Sequence, residues 1–264
     1  MNTVSILFIG DIFGRPGRTL VADHLRDLMD RHHLDLVIAN GENAAAGFGI
    51  TPRLTAELLA VGIDVITTGN HIWDRREIME YFPQEPRLLR PANFVSGPGR
   101  GLYHGATRSG VEYAVLNLQG RVFMGQSDCP FRTADREFEQ LPASCKVRIV
   151  DMHAEATSEK IAMGWYLDGR VSAVFGTHTH IPTADTRILP DGTGFITDVG
   201  MTGSDDSVLG VEKHIIMKRF LGEKQTFEYP EQGPAWVNAI FCELDPKTGH
   251  CTMIEQLQEK LIIK

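Results

Sequence analysis

VSILFIG (residues 4–10) begins the pattern that decides the fold of this chain. It is a short apolar run, which predicts a buried strand. It is followed by RTLVADHLRDLMDRH (18–32), in which apolar residues recur at helical spacing. LDLVIANG (34–41) is a second apolar run of strand length. A strand–helix–strand unit of this kind predicts an α/β fold, in which helices cover a parallel sheet.

The same alternation continues along the chain. TPRLTAELLAVG (51–62) predicts a helix with Thr51 as its N-cap. IDVITTG (63–69) predicts a strand, and DRREIMEYF (74–82) predicts a helix that Asp74 begins. The later segments predicted to contain paired strands or a further strand–helix–strand unit are 101–120, 145–180, 186–200 and 236–258.

The composition is that of a compact globular protein. Of the 264 residues, 42% are hydrophobic and 23% are charged. Because no stretch has the composition of a linker, residues 1–264 are expected to form a single domain. The net charge of −8 argues against a dedicated nucleic-acid surface. It still allows a small anionic substrate, since bound metal ions reverse the field locally.

Several features predict a cytoplasmic protein without a membrane segment. The N-terminal apolar run lacks the basic start of a signal peptide, and Asp11 interrupts it. No stretch reaches the ~18 apolar residues that a membrane span needs. The four cysteines have no CxxC spacing, which is typical of reduced thiols. The β-prone arms offer edges for assembly into a homo-oligomer.

Polar side chains follow the predicted carboxyl ends of five strands, where an open parallel sheet binds its ligands. They are Asp11, Glu42, Asn43, Asn70, His71, His153, His178 and His180. Singly, each has an ordinary explanation, since Asp11 could cap a helix, Asn43 could bond a turn and His153 could be a core histidine. Eight such residues at five strand ends instead favour a shared metal site.

VFGTHTH (174–180) contains the closest pair of these histidines. Side chains two positions apart on an extended chain point to the same side, so His178 and His180 are expected to reach one region. The donors of the whole set are nitrogen and oxygen with no thiolate, which suits Fe, Mn, Zn or Co. They are too many for one ion and predict two ions about 3.5–4 Å apart, an arrangement suited to in-line attack on phosphorus.

These residues resemble the motifs of the calcineurin-like metallophosphoesterase superfamily, and most closely those of its YmdB-type branch of bacterial phosphodiesterases. The passages that carry the resemblance are GENAAAGFGIT (41–51), TTGNHIWD (67–74), DMHAEATSEKIA (151–162), GTHTHIPTAD (176–185) and ITDVGMTGSDDSVLG (196–210). The resemblance covers essentially the whole chain. It implies a hydrolase with a four-layered α/β-β/α sandwich of mixed sheets and a dinuclear metal centre.

The resemblance also implies a role for each strand-end residue. The first metal ion would have Asp11, Asn43 and His180, the second would have Asn70, His153 and His178, and Glu42 would bridge the two. The ions would be divalent or mixed-valence, with Fe or Mn preferred and Zn as the alternative. His71 would be the catalytic acid that donates a proton to the leaving group.

Three positions depart from the wider superfamily. The usual D-x-H opening is here Asp11-Ile12-Phe13, so one histidine ligand is absent and Asn43 is expected to substitute. The usual bridging aspartate is Glu42. The acidic residue that usually follows GNH is Ile72, which removes a carboxylate that could orient the catalytic histidine. All three departures match the YmdB-type branch.

The activity that the resemblance implies is hydrolysis of small phosphodiesters, most specifically 2′,3′-cyclic nucleotides. A hydroxide that bridges the two ions would attack phosphorus, and His71 would protonate the departing ribose oxygen. Two alternatives stay open: a phosphomonoesterase or nuclease with the same centre, and a regulatory protein that senses a metal or a nucleotide. The role of Phe48 is also open, between stacking on a base and packing against the core.

Overall fold

The computed structural model describes residues 3–264, which contain twelve β-strands and six α-helices. In chain order these elements are β1 (Val4–Ile9), α1 (Gly14–His32), β2 (Leu36–Asn40), α2 (Pro52–Ala60), β3 (Val65–Thr67), α3 (Ile78–Tyr81), β4 (Leu102–Ala106), β5 (Glu112–Gln119), α4 (Pro130–Phe138), β6 (Val147–His153), α5 (Thr157–Leu167), β7 (Ala173–Thr177), β8 (Arg187–Ile188), β9 (Gly194–Ile196), β10 (Gly203–Ser204), α6 (Lys213–Phe220), β11 (Gly233–Leu244) and β12 (Cys251–Ile263).

Two six-stranded mixed sheets form the centre of the fold. The first has the strand order β10-β11-β1-β2-β3, with β12 paired to β11, and the second has the order β4-β5-β6-β7-β9-β8. β1, β2 and β3 run parallel in the first sheet, and β5, β6, β7 and β9 run parallel in the second. The predicted paired strands are confirmed as the antiparallel pairs β4–β5, β8–β9 and β11–β12.

The side chains of β1 alternate between two apolar layers. Ile6 and Phe8 face the second sheet, where the rings of Phe8 and Phe175 lie 5.1 Å apart between their centroids. Leu7 and Ile9 face the opposite way, onto α1 and α2. The second sheet is covered on its outer face by α4 and α5. The order helix, sheet, sheet, helix confirms the predicted four-layered α/β-β/α sandwich.

One predicted helix start is confirmed and one is wrong. Thr51 caps α2, because its hydroxyl accepts a hydrogen bond from the backbone N–H of Leu54 at 3.2 Å. Asp74 does not begin a helix, since α3 starts only at Ile78. The backbone N–H of Asp74 instead donates to the carbonyl of His71 at 3.0 Å in a turn. The Asp74 side chain is therefore free to bond elsewhere.

Three further predictions concern membrane-spanning helices, the cysteines and the number of domains. No helix among residues 3–264 is both long enough and apolar enough to cross a membrane. All four cysteines are free thiols. The expectation of a single domain over residues 1–264 stays a prediction, and its first two residues lie outside the described range.

Candidate active site

The carboxyl ends of parallel strands from both sheets meet at one edge of the sandwich, and each of the eight predicted residues contacts at least one of the others there. They are Asp11 after β1, Glu42 and Asn43 after β2, Asn70 and His71 after β3, His153 at the end of β6, and His178 and His180 after β7. Gly69 permits a close approach of the two sheets' side chains, because a Cβ there would collide with the ring of His153 and the carboxylate of Glu42. A larger residue at this strand end would push the two sheets' side chains apart.

His153 lies at the centre of one group of donors. Its Nε2 lies 2.9 Å from Oε1 of Glu42, 3.1 Å from Oδ1 of Asn70 and 3.1 Å from Nδ1 of His178. Glu42, His153 and His178 thus offer three ligand atoms within 4.8 Å of one another. This arrangement is compact enough for all three residues to bind one ion.

Asp11, Asn43 and His180 form a second group. Nε2 of His180 lies 3.3 Å from Oδ1 of Asn43 and 3.9 Å from Oδ1 of Asp11. The other carboxylate oxygen of Asp11 accepts a hydrogen bond from the backbone N–H of His178 at 3.3 Å. Asp11 therefore links this group to the segment that carries both histidines.

The outer nitrogen of each histidine in the first group has an oxygen partner. Nδ1 of His153 lies 2.8 Å from the hydroxyl of Thr177, which donates in turn to buried Asp151 at 2.7 Å. Nε2 of His178 lies 3.1 Å from Oε2 of Glu155. Metal-binding histidines in proteins have this pattern, because an oxygen partner on one nitrogen turns the other toward the ion.

His71 stands beside the first group at the mouth of the site. Its backbone N–H donates to Oε2 of Glu42 at 3.2 Å. Its ring Nδ1 lies 2.8 Å from Oδ2 of Asp74, and its ring packs edge to face against Phe48 with centroids 5.1 Å apart. Ile72 stands where the wider superfamily has an acidic residue. In this chain Asp74, three residues after His71, supplies a carboxylate to the histidine instead.

His178 and His180 are expected to point to the same side because the chain would be extended there. That prediction is wrong, since the segment after β7 is not extended. β7 ends at Thr177, and the two histidines have φ angles of 95° and 66°, in the left-handed region. Thr179 between them donates its N–H and its hydroxyl to Oδ2 of Asp198, at 3.1 and 2.6 Å. These bonds turn the two histidines toward different groups of donors.

A buried ion pair holds this strained segment in place. The ammonium of Lys160 donates to Oδ2 of Asp198 at 2.7 Å, and both side chains are fully buried. The other carboxylate oxygen of Asp198 accepts from the backbone N–H of Gly200 at 2.8 Å. Left-handed backbone at both histidine positions costs free energy, which these bonds offset.

Burial and close charges shift the pKa values of the central groups. Burial alone would raise the pKa of Glu42, but the adjacent His153 outweighs it and holds that pKa at about 2. Burial alone would lower the pKa of His153, but Glu42 raises it to about 9. Burial and the charge of His153 lower the pKa of His178 to about 3. Glu42 is therefore charged and His178 neutral at neutral pH.

The chemistry of the donors fits metal ions. The three atoms around Nε2 of His153 are a carboxylate oxygen, an amide oxygen and the nitrogen of a neutral histidine. A proton or a metal ion at Nε2 satisfies such a set. Oδ1 of Asp11 is buried and accepts no hydrogen bond within the described part of the chain. Nitrogen and oxygen donors without thiolates suit Fe, Mn or Zn.

Several residues that support the site have no strong signal in the sequence. They are Asp74, Glu155, Asp151, Thr177, Lys160 and Asp198. Asp151 and Asp198 each end or follow an apolar run, which is a weak signal. In the sequence, nothing distinguishes Glu155 and Asp74 from ordinary exposed acidic residues. Only the folded chain brings each of them to a histidine.

Comparisons with known proteins show the family and the fold of this chain. A family model described as YmdB-like protein matches residues 7–257. The chain is 45% identical to a 2′,3′-cyclic-nucleotide 2′-phosphodiesterase of Bacillus subtilis (strain 168), over 96% of each protein. A crystal structure of a hypothetical protein from Thermus thermophilus is 42% identical, with a TM-score of 0.89 over 97% of this chain and 99% of that one. A phosphatase structure from Mycoplasma pneumoniae is 33% identical, with a TM-score of 0.92 over 98% and 94%.

Proposed function

This chain belongs to the YmdB-like family of calcineurin-like phosphoesterases, and from that premise we propose that it is a metal-dependent phosphodiesterase that hydrolyses 2′,3′-cyclic nucleotides. The observation that carries the proposal is the convergence of Glu42, His153 and His178, with His71 bonded through its backbone to the same glutamate. Charged and neutral donors are thus gathered next to a histidine that can transfer a proton.

The two groups of donors support two ion sites. Asn70, His153 and His178 would hold one ion, Asp11, Asn43 and His180 would hold the other, and Glu42 would bind both. When bound, the ions would polarise the phosphate and supply a nucleophile at neutral pH. Iron or manganese is proposed, with zinc as the alternative, because the donor set suits all three.

His71 is proposed as the general acid. Its Nδ1 is bonded to Asp74, so Nε2 is the nitrogen that carries the transferable proton. As the bond between phosphorus and O2′ breaks, its electron pair goes to O2′ and His71 donates the proton there. Water supplies the hydroxyl that joins phosphorus and releases its other proton to the solvent, from which His71 is protonated again, and the product is a 3′-monophosphate.

A substrate panel with metal analysis tests this function. Protein purified without oxygen is assayed for bound metal and for hydrolysis of 2′,3′-cAMP, 3′,5′-cAMP, a 5′-mononucleotide and a short RNA. We expect the first substrate to be preferred. Preference for the mononucleotide or the RNA would favour the phosphomonoesterase or the nuclease instead.

A variant separates chemistry from metal binding. His71→Ala is expected to keep its metal, to lose turnover on 2′,3′-cAMP and to retain more activity on a phosphodiester with a p-nitrophenolate leaving group, which needs no proton. His104→Ala is the matched control, because His104 also pairs with a carboxylate, that of Glu112 at 3.6 Å. Normal turnover of 2′,3′-cAMP by His71→Ala would contradict the assignment. A cellular phenotype that survives in the inactive, metal-loaded variant would favour a regulatory protein.

Two further parts of the proposal concern the protein in the cell. Free thiols at Cys129, Cys145, Cys242 and Cys251 support a reducing compartment, the cytoplasm. β12 lies at the edge of the first sheet, which supports assembly of copies through that edge. Fractionation and sedimentation of the full chain test these two points.

A further inference from the structure

The chemistry of the proposed leaving group fixes where the base of a nucleotide would lie. The oxygen that His71 protonates is O2′, which is bonded to C2′ of the ribose. The next carbon, C1′, carries the nucleobase. The base is therefore a near neighbour of the leaving oxygen, and the residues beside His71 are the ones it would meet.

The ring of Phe48 packs directly against the ring of His71. The rings of Phe48 and His71 lie 5.1 Å apart at an interplanar angle of 77°. Phe48 also packs against Phe227, with ring centroids 5.5 Å apart. The guanidinium of Arg219 lies 4.5 Å from the centre of the Phe227 ring. Starting from His71, the proposed general acid, each side chain in this row therefore contacts the next: first two aromatic rings and then an arginine.

The chain places Phe48 in this position at a cost. The glycines on either side of it have φ angles of 88° at Gly47 and 74° at Gly49, which other residues rarely adopt. Arg75 fixes the turn from outside, because its guanidinium donates to the carbonyls of Phe48 at 3.0 Å and Ala45 at 2.7 Å. The backbone is held firmly while Phe48 itself stays half-buried.

The cleft that this ring lines contains both polar and apolar side chains. Its volume is about 280 Å³, and Glu42 and His178 are among its polar residues. Phe48 and Leu209 are among its apolar residues, and Leu209 is 46% exposed. A cleft with such mixed lining can take a ligand that carries both an anionic phosphate and a flat aromatic ring.

We propose that Phe48 stacks on the nucleobase of the cyclic nucleotide, with Phe227 supporting it from behind. This inference rests on the proposed function and adds a base-binding subsite to it. The stack orients the ribose so that O2′ faces His71. Because every base offers an aromatic face, the subsite accepts different bases and favours the larger purines.

Paired substrates test the subsite. Phe48→Ala and Phe48→Tyr are compared with the wild-type holoenzyme on 2′,3′-cAMP and on methyl riboside 2,3-cyclic phosphate, which has the same reacting group and no base. We expect Phe48→Ala to lower kcat/KM for 2′,3′-cAMP by roughly ten- to one-hundredfold, mainly through KM. Its kcat/KM for the base-free compound is expected to fall by a much smaller factor, because only the contact of Phe48 with His71 is lost there, and Phe48→Tyr is expected to keep both activities.

Controls separate this inference from the function on which it rests. Trp165→Ala is the matched control, because Trp165 is also an exposed aromatic residue with an arginine over its ring, Arg187 at 5.9 Å, and it does not line the cleft. Equal losses on the two substrates, or no loss on 2′,3′-cAMP, would overturn the base-binding role of Phe48. Failure of the wild-type enzyme to hydrolyse either cyclic phosphate would overturn the proposed function itself.

Discussion

Nδ1 of His71 lies 2.8 Å from Oδ2 of Asp74, three residues further along the chain. The pair forms in a turn, where the N–H of Asp74 also donates to the carbonyl of His71 at 3.0 Å. The backbone bond closes the turn, and the side-chain bond orients the imidazole. A carboxylate in this place stabilises the ring and presents Nε2, with its proton, to the cleft.

Asp74→Asn should slow turnover without releasing metal. The amide keeps the size of the side chain but not the charge that holds the Nδ1–H of His71, so the ring loses its fixed orientation. We expect kcat for 2′,3′-cAMP to fall by roughly ten- to one-hundredfold. Steady-state kinetics and metal analysis check this, with Asp30→Asn on the exposed side of α1 as the control. A normal kcat would show that Asp74 does not position His71.

Glu42→Gln should remove metal, because it deletes the charge at the centre of the donor set. Glu42 is 1% exposed and its pKa is held at about 2, so its carboxylate is charged at all working pH values. We expect the metal content after dialysis to fall below one ion per chain. Glu112→Gln on β5 is the control, since it also faces a histidine. Two ions retained by Glu42→Gln would contradict its assignment to both sites.

Glu155→Gln should have a smaller effect, limited to one ion. Glu155 contacts Nε2 of His178 at 3.1 Å and is half-exposed, so it orients that ring without binding the ion itself. We expect affinity for one of the two ions to weaken by roughly ten- to one-hundredfold. Titration of the metal-free protein with Mn²⁺ measures this. Equal weakening at both ions would instead indicate a general disturbance of the site.

The strand-end residues could be predicted from the sequence because two general rules apply to the same positions. Apolar periodicity locates the strands, and ligands bind at the carboxyl ends of parallel strands, so Glu42 and His153 are expected together from their positions alone. Asp74 and Glu155 could not be predicted in this way. Acidic residues are common on exposed loops, and which of them reaches a histidine depends on turn geometry.

The direction of the histidines after β7 could not be predicted for a different reason. Local spacing describes an extended chain through His178 and His180, but Asp198 binds Thr179 between them, and the backbone there is left-handed. Asp198 and its partner Lys160 each lie 19 residues from Thr179 in the sequence, on opposite sides of it. Hydrogen bonds between such distant residues override local periodicity.

Lys160→Met should destabilise the fold strongly, because it leaves the Asp198 carboxylate buried without its partner. We expect the free energy of unfolding to fall by about 3–5 kcal/mol, and the double variant Lys160→Met with Asp198→Asn to be less affected than the single one. Urea unfolding of the metal-free proteins measures both. Lys213→Met is the control, since its partner Asp206 is exposed and such pairs contribute about 0–1 kcal/mol. Equal losses in the single and double variants would show that the charge of Asp198 does not matter.

Asp185 lies in the loop between β7 and β8, which also carries His178 and His180. Asp185→Asn should reveal a pH-dependent contribution of this loop to stability. The carboxylate of Asp185 accepts hydrogen bonds from the N–H of Thr197 at 3.1 Å and from the hydroxyl of Thr183 at 2.7 Å. Burial alone would raise the pKa of Asp185, but the hydrogen bonds from Thr197 and Thr183 outweigh it and lower that pKa. A lowered pKa means that the native state favours the charged form.

The stabilisation by Asp185 is therefore complete above the aspartate pKa of the unfolded chain, about 3.9, and is lost as the pH falls through the lower native value. We expect Asp185→Asn to cost about 1–2 kcal/mol at neutral pH, because three hydrogen bonds to a half-buried carboxylate are weakened. Urea unfolding of the metal-free proteins between neutral pH and about pH 3 checks that the difference shrinks on acidification. A difference that stays constant over this range would show that size and shape, not the charge of Asp185, stabilise the loop that positions His178 and His180.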